Sequence, residues 1–206
     1  MTQFFRAVAV SAALVAGVAA LPMTAVAQGK NFSAKVADQP AGIYAVDPSH
    51  ARLYAKVKHM GLANYVMILN KVDATVTLDP AAAEKSTLSM NVDPNGVWTG
   101  LPDFDKKIAT SFFGGTPIQF KSTALKAVDE ARGVLSGDLT LNSVTKPVTF
   151  DVAFTGGGLN FGGKPTLGFE AKGTIMRSDF KVAPQLPNTV VSDKVEVIFE
   201  GEFNKQ

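Results

Sequence analysis

Along most of this chain apolar and polar residues alternate one for one. Val72, Ala74, Val76 and Leu78 fall on one side and Lys71, Asp73, Thr75 and Thr77 on the other, the signature of a β-strand with one dry and one wet face. The same period of two runs through Leu53, Ala55 and Val57, through Leu88, Met90 and Val92, and through Ile118 and Phe120. It returns in Leu135, Leu139 and Leu141, in Val148, Phe150, Val152 and Phe154, in Leu167, Phe169, Ala171 and Ile175, and in Val195, Val197 and Phe199. Asp79-Pro80, Asp93-Pro94-Asn95-Gly96, Asn142-Ser143, Gly156-Gly157-Gly158 and Gly162-Gly163 separate these runs with turn residues. About eight one-sided strands with short connections predict an antiparallel, all-β meander. Their dry faces must meet something, and no set of amphipathic helices is available to cover them. A sandwich or a closed barrel follows, and closure also removes the sheet edges. One short helix is predicted between Pro102 and Phe113, where Phe104, Ile108 and Phe112 recur at helical spacing as a plug or lid.

The N-terminus departs from this pattern. Arg6 is followed by an apolar, Ala-rich run from Ala7 to Leu21, and Ala25-Val26-Ala27 matches the small-x-small site of signal peptidase. Residues 1–27 are therefore expected to be a cleaved signal peptide. The apolar run is shorter than the roughly 20 residues that span a bilayer, so no stable membrane insertion is expected, and export points to the periplasm. Residues 28–41 lack apolar periodicity and read as a flexible lead-in; residues 42–206 form the single domain.

Composition narrows the chemistry. The 206 residues carry 20 Lys and Arg against 18 Asp and Glu, with no basic run, which argues against a nucleic-acid partner. The absence of cysteine excludes disulfides, thiolate nucleophiles and Cys-ligated zinc. There is no Gly-x-Ser-x-Gly elbow, no phosphate-binding Gly-rich loop before a helix and no His-Glu-x-x-His helix. No cofactor, metal or catalytic residue is expected, and a hydrolase using His50 and His59 is the enzyme alternative. Those two histidines, nine residues apart, would lie about 30 Å apart on one continuous strand, too far to share a metal.

An eight-stranded barrel is just wide enough to be filled by side chains or to hold one small ligand. Ala51, Ala55, Ala74, Gly137, Ala171, Gly173 and Gly201 fall on the dry face and would fill it incompletely. Periodicity leaves two readings open, a cavity or a core packed by the larger residues.

Five motifs occur in order: Asp47-Pro48-Ser49-His50 with His59-x-Gly61; Gly137-x-Leu139-Thr140-Leu141-x-x-Val144-Thr145-Lys146-Pro147-Val148; Gly168-Phe169-x-Ala171; Arg177-Ser178-Asp179-Phe180; and Val191-Ser192-Asp193-x-Val195. From about Tyr44 to Phe203 the chain resembles the YceI-like periplasmic family. The resemblance implies a lipocalin-like antiparallel barrel with an apolar tunnel for a polyisoprenoid or another long-chain amphiphile, and hence a non-catalytic binding or carrier protein. Leu53, Val57, Val76, Met90, Phe120 and Leu139 would then line the tunnel, with Phe150, Val152, Phe169, Ile175, Val197 and Phe199. His59, Arg177, Trp98, Phe112 and Phe113 would stand at the mouth or the ligand head group. An apolar mouth also leaves room for a homodimer. A lipid-free structural or partner-binding barrel is the alternative.

The chain departs from the family pattern at Ala51, in place of Ser, and at Met67, Ala74, Ser143 and Lys181, in place of Gly. The Asp105 to Pro117 segment is shorter and lacks the usual Arg, which bears on ligand preference. Arg177 shares parity with Phe169 and Ile175, placing a guanidinium on the dry side, where it needs a partner. Asp179 or Asp193 would provide an ion pair; an anionic or carbonyl head group is the other reading. His59 is read as either hydrogen-bonded within the fold or touching the head group, and His50 as part of the Asp47-Pro48 turn.

Overall fold

The computed structural model describes residues 30–206; the signal-peptide segment, 1–27, lies outside the described residues. The strands are β1 (Lys30–Ser33), β2 (Gly42–His59), β3 (Ala63–Leu69), β4 (Val72–Leu78), β5 (Thr87–Val92), β6 (Val97–Trp98), β7 (Ile118–Ala127), β8 (Arg132–Leu141), β9 (Val144–Leu159), β10 (Pro165–Met176) and β11 (Val191–Lys205). Among the described residues one α-helix, α1 (Pro102–Lys107), precedes β7. The strands β4, β5, β7, β8, β9, β10, β11 and β2 pair in that order, and β2 returns to β4, closing an eight-stranded antiparallel barrel.

The long strand β2 explains the closure. Its first residues pair with β4, Ala45 opposite Thr75, and its last with β3, His59 opposite Ala63. β3 and β4 thus occupy one strand position, interrupted at Asn70-Lys71. β3 escaped the alternation because its outward residues, Val66 and Ile68, are as apolar as its inward Tyr65, Met67 and Leu69. In β4 the pattern is undisturbed, with every second residue buried.

One end of the barrel is packed. Phe154, Phe169, Phe203 and Phe199 touch in sequence with ring centroids 5.5, 5.8 and 6.0 Å apart, spacings at which tilted and edge-on aromatic pairs attract. Tyr44 and Leu167 are fully buried there, and the Tyr44 hydroxyl donates to the Pro40 carbonyl at 2.6 Å. The described part of the segment expected as a flexible lead-in, residues 30–41, is docked against this end. Lys30 pairs opposite Leu159 and Ser33 opposite Gly157, while the buried Gln39 side chain donates to the Lys35 carbonyl at 3.1 Å. Backbone pairing and an amide contact hold this segment, neither of which leaves an apolar period in the sequence.

The other end carries α1 and the loop after β10. Asp105 anchors α1 by accepting from the Thr99 backbone N–H at 2.8 Å and hydroxyl at 2.6 Å. The helix runs on as a π-helical turn, Ile108–Phe112, which buries Ile108 and Ala109. The short helix inferred from Phe104, Ile108 and Phe112 is this element, its apolar stripe turned into the barrel.

Candidate functional site: an apolar cavity under a helical lid

Small residues on the inner wall and the packing of only one end leave a cavity of about 400 Å³ in the half of the barrel beneath α1. Leu53 and Val57 of β2, Met90 of β5, Phe120 of β7, Leu139 of β8 and Phe150 of β9 face it. Ile175, Val197 and Phe199 complete the wall, with Phe112 and Phe113 over the top. A second cavity, of about 130 Å³, lies toward the packed end, where Val76, Val152 and Phe169 stand instead of in the main cavity. Leu88, Leu135, Ala171 and Phe199 border both spaces. Trp98, expected at the mouth, lines neither cavity; the residue is 55% exposed. β6 pairs through it with Ile68, and that two-residue strand presents the ring to solvent.

Only three polar side chains among the described residues line the main cavity: His59, Tyr65 and Arg177. His59 lies at the last position of β2, exposed at the rim. Its ring makes no hydrogen bond to any described residue, so the structural bond expected for it is absent.

Arg177 is 5% exposed and fully engaged. Nε donates to the Ser192 carbonyl at 3.2 Å, and Nη1 to the carbonyls of Val182 at 3.2 Å and Ala183 at 3.0 Å. Nη2 donates to the carbonyls of Leu186 at 2.6 Å and Val191 at 3.1 Å, and to Asn188 Oδ1 at 2.8 Å. This corrects the expected ion pair: Asp179 instead accepts from Lys146 at 2.8 Å, and Asp193 from the Ser178 backbone and hydroxyl at 2.8 and 2.7 Å. The Ser178 side chain leads in holding the Asp193 carboxyl below its usual range. Arg177 is therefore the hub around which residues 182–191 fold into a rim, and all its N–H donors are spent there.

Tyr65 was not singled out by the sequence. It sits opposite Val57 on β3, its ring edge-on to Phe104 at 6.2 Å and 84°. Its hydroxyl oxygen is buried and has no hydrogen-bond partner among the described residues.

The remaining candidate, His50, belongs to a cluster outside the cavity. Asp47 Oδ1 accepts from the Ser49 backbone N–H at 2.9 Å and hydroxyl at 2.5 Å, and His50 Nδ1 lies 3.1 Å from Asp47 Oδ2. The Ser49 hydroxyl, followed by His50, holds the Asp47 carboxyl well below the usual carboxylate range. The hydrogen bond to Asp47, helped by Glu202, raises His50. These residues form the expected turn, here a bulge in β2 that shifts its register against β11 between Gly201 and Phe203. His50 and His59 are not brought together, and no group of three metal-ligating side chains exists among the described residues.

The YceI-like domain family matches residues 44–203. A UPF0312 protein of Pseudomonas fluorescens is 32% identical over 171 residues, covering 80% of this chain and 88% of its own. The YCEI protein of Campylobacter jejuni superposes with a TM-score of 0.66 at 28% identity, over 73% of this chain and 91% of that one. A polyisoprenoid binding domain from Saccharophagus degradans has the same fold, with a TM-score of 0.59 at 13% identity over 81% of this chain and all of its own.

Proposed function

Because this chain belongs to the YceI-like domain family, we propose that it is a non-catalytic periplasmic binding protein enclosing the chain of a polyisoprenoid or similar long amphiphile in its barrel. The observation that carries this is the main cavity, about 400 Å³ with an almost wholly apolar wall, within the range of small-molecule pockets. At ~24 cal/mol per Å³ an unfilled apolar void of that size would cost on the order of 10 kcal/mol, comparable to the net stability of a whole domain. A lipid chain removes that cost and adds about 0.8 kcal/mol for each methylene withdrawn from water. The fold shared with a polyisoprenoid binding domain agrees with such a ligand, and Ala25-Val26-Ala27 with export. Affinity then comes from buried length, so selectivity among chains of similar bulk is loose.

The test is to purify the mature protein from the periplasm, extract it with organic solvent under denaturing conditions and analyse the extract by mass spectrometry. A stoichiometric long-chain lipid is expected. A protein that yields none and takes up neither prenyl nor acyl chains overturns the reading, leaving a barrel whose work is done on its outer surface.

A further inference from the structure

We propose that the end of the barrel carrying α1 docks on an anionic phospholipid bilayer, through an apolar stripe on the outside of β3 and the lysines that flank it. The proposal concerns the outer surface, goes beyond the carrier reading and stands or falls separately from it.

On β4 and β5 the outward residues are polar: Asp73, Thr75 and Thr77, then Thr87, Ser89 and Asn91. Around β3 they are not. Ile198, Tyr54, Ile68 and Trp98 stand opposite one another in turn across β11, β2, β3 and β6. Since Leu53, Ala55 and Val57 line the cavity, Tyr54 and its row face outward. Val66, exposed on the same face of β3, continues from Ile68 toward the Met60-Gly61-Leu62 turn, where Met60 is exposed and Leu62 is 84% exposed. At ~3.3 Å per residue the stripe from Leu62 to Ile68 is about 20 Å long. Exposed Leu101 leads into α1, whose Phe104 touches Tyr65 of β3. Contiguous apolar surface of this kind marks a place of contact.

Charge identifies what it meets. Lys58, Lys106, Lys107, Lys181 and Lys194 are exposed at this end and have no ion-pair partner among the described residues. Arg177 adds a sixth positive charge, buried among carbonyls. Asp103, Asp105 and Asp193 stand against these six, while Lys56 with Glu196 and Lys146 with Asp179 cancel. Exposed Val128, at the opposite end, is instead followed by Asp129 and Glu130. Lysines beside protruding aliphatic side chains and an indole suit the boundary of an anionic bilayer, where each group finds its own layer. Met60 and Leu62 project from a turn, a shape that a fluid surface accepts without a matching pocket. His59, Phe112 and Phe113, which border the main cavity, lie at the same end, so docking brings the cavity to the lipid.

Trp98 is the only tryptophan of the chain, and its fluorescence reports on the patch directly. The mature protein is titrated with vesicles of phosphatidylglycerol and phosphatidylcholine, and with phosphatidylcholine alone. Binding to the anionic vesicles is expected to shift Trp98 emission to the blue, to permit quenching by brominated acyl chains and to weaken at high salt. Leu62→Gln should weaken it about tenfold, as withdrawal of one leucine from the interface implies. Lys58→Gln with Lys194→Gln should weaken it about 25-fold, at roughly fivefold for each lysine. No binding, binding that both variants leave unchanged, or Trp98 emission indifferent to brominated lipid overturns the proposal. So does a blue shift that grows with protein concentration without vesicles, which assigns the patch to a second copy of the chain. Solvent extraction of the same preparation reads the carrier proposal independently of all these outcomes.

Discussion

Arg177 and Leu186 are joined across the rim of the barrel by a hydrogen bond of 2.6 Å from Nη2 to the Leu186 carbonyl, the shortest of six that tie the 182–192 segment to one guanidinium. A buried charge just past the end of β10 is here solvated by carbonyl and amide dipoles rather than paired with a carboxylate. The buried Val182 and Ala183 belong to the same segment and face the cavity, so the residue that shapes the rim also places part of the lid.

Replacing Arg177 by Leu should therefore destabilise the fold by about 3 kcal/mol or more, since several buried carbonyls lose their donors together. Arg177→Lys should recover little, because one ammonium cannot span the planar fork of acceptors. Urea denaturation of the two variants against wild type measures both effects.

Asn142 and Ser143 form the turn between β8 and β9, with φ of 50° and 59°, flanked by the pair Leu141 and Val144. Two successive positive φ values define the tight hairpin turn in which Gly is favoured second. Ser143→Gly should raise stability by about 0.5–1 kcal/mol, the relief of left-handed strain exceeding the entropy Gly adds to the unfolded chain. Thermal unfolding provides the check, with a rise of a few degrees expected.

Ala55 lines the main cavity at the centre of the β2 wall. Ala55→Phe should fill part of the void, leaving stability equal or improved while the lipid recovered by extraction falls severalfold. A packed, lipid-free barrel predicts the reverse: overpacking that costs about 1–3 kcal/mol with no change in extract.

The Asp47 and His50 pair should report on pH. His50 is raised by Asp47, so its contribution is full below the unfolded value, about 6.5, and is lost as pH rises through its folded value. Asp47 is lowered, so its contribution is present above about 4 and lost as pH falls toward its folded value. The bulge is thus held best between about pH 4 and 6.5. NMR titration of the His50 ring should give a midpoint above 6.5 that drops toward it in Asp47→Asn; an unmoved midpoint would refute the coupling.

Gly137 illustrates how the aromatic wall is seated. A Cβ on this residue would lie 2.4 Å from Phe120 Cζ and 2.5 Å from the Lys121 carbonyl oxygen, so Gly137→Ala should displace the Phe120 ring, which packs edge-on against Phe150 at 5.6 Å. The expected cost is about 1–3 kcal/mol, together with altered lipid uptake, measured by denaturation and extraction of the same preparation.

Alternation along the chain by itself determined which face of each barrel strand is dry, and hence the all-β class, because strand side chains alternate by local geometry alone. It located the helix through Phe104, Ile108 and Phe112 and put Leu53, Val57, Phe150 and Val197 on the inner wall. Only the tertiary structure decided what those faces enclose, since inward parity does not say at which height of the barrel a residue stands: Val76, Val152 and Phe169 share parity with the main wall yet border the smaller cavity. Closure likewise chose the partners of Arg177, all of them carbonyl or amide oxygens, from the loop after β10 and the first two residues of β11. It also hid Tyr65, whose strand carries apolar residues on both faces, and buried its hydroxyl without a partner among the described residues.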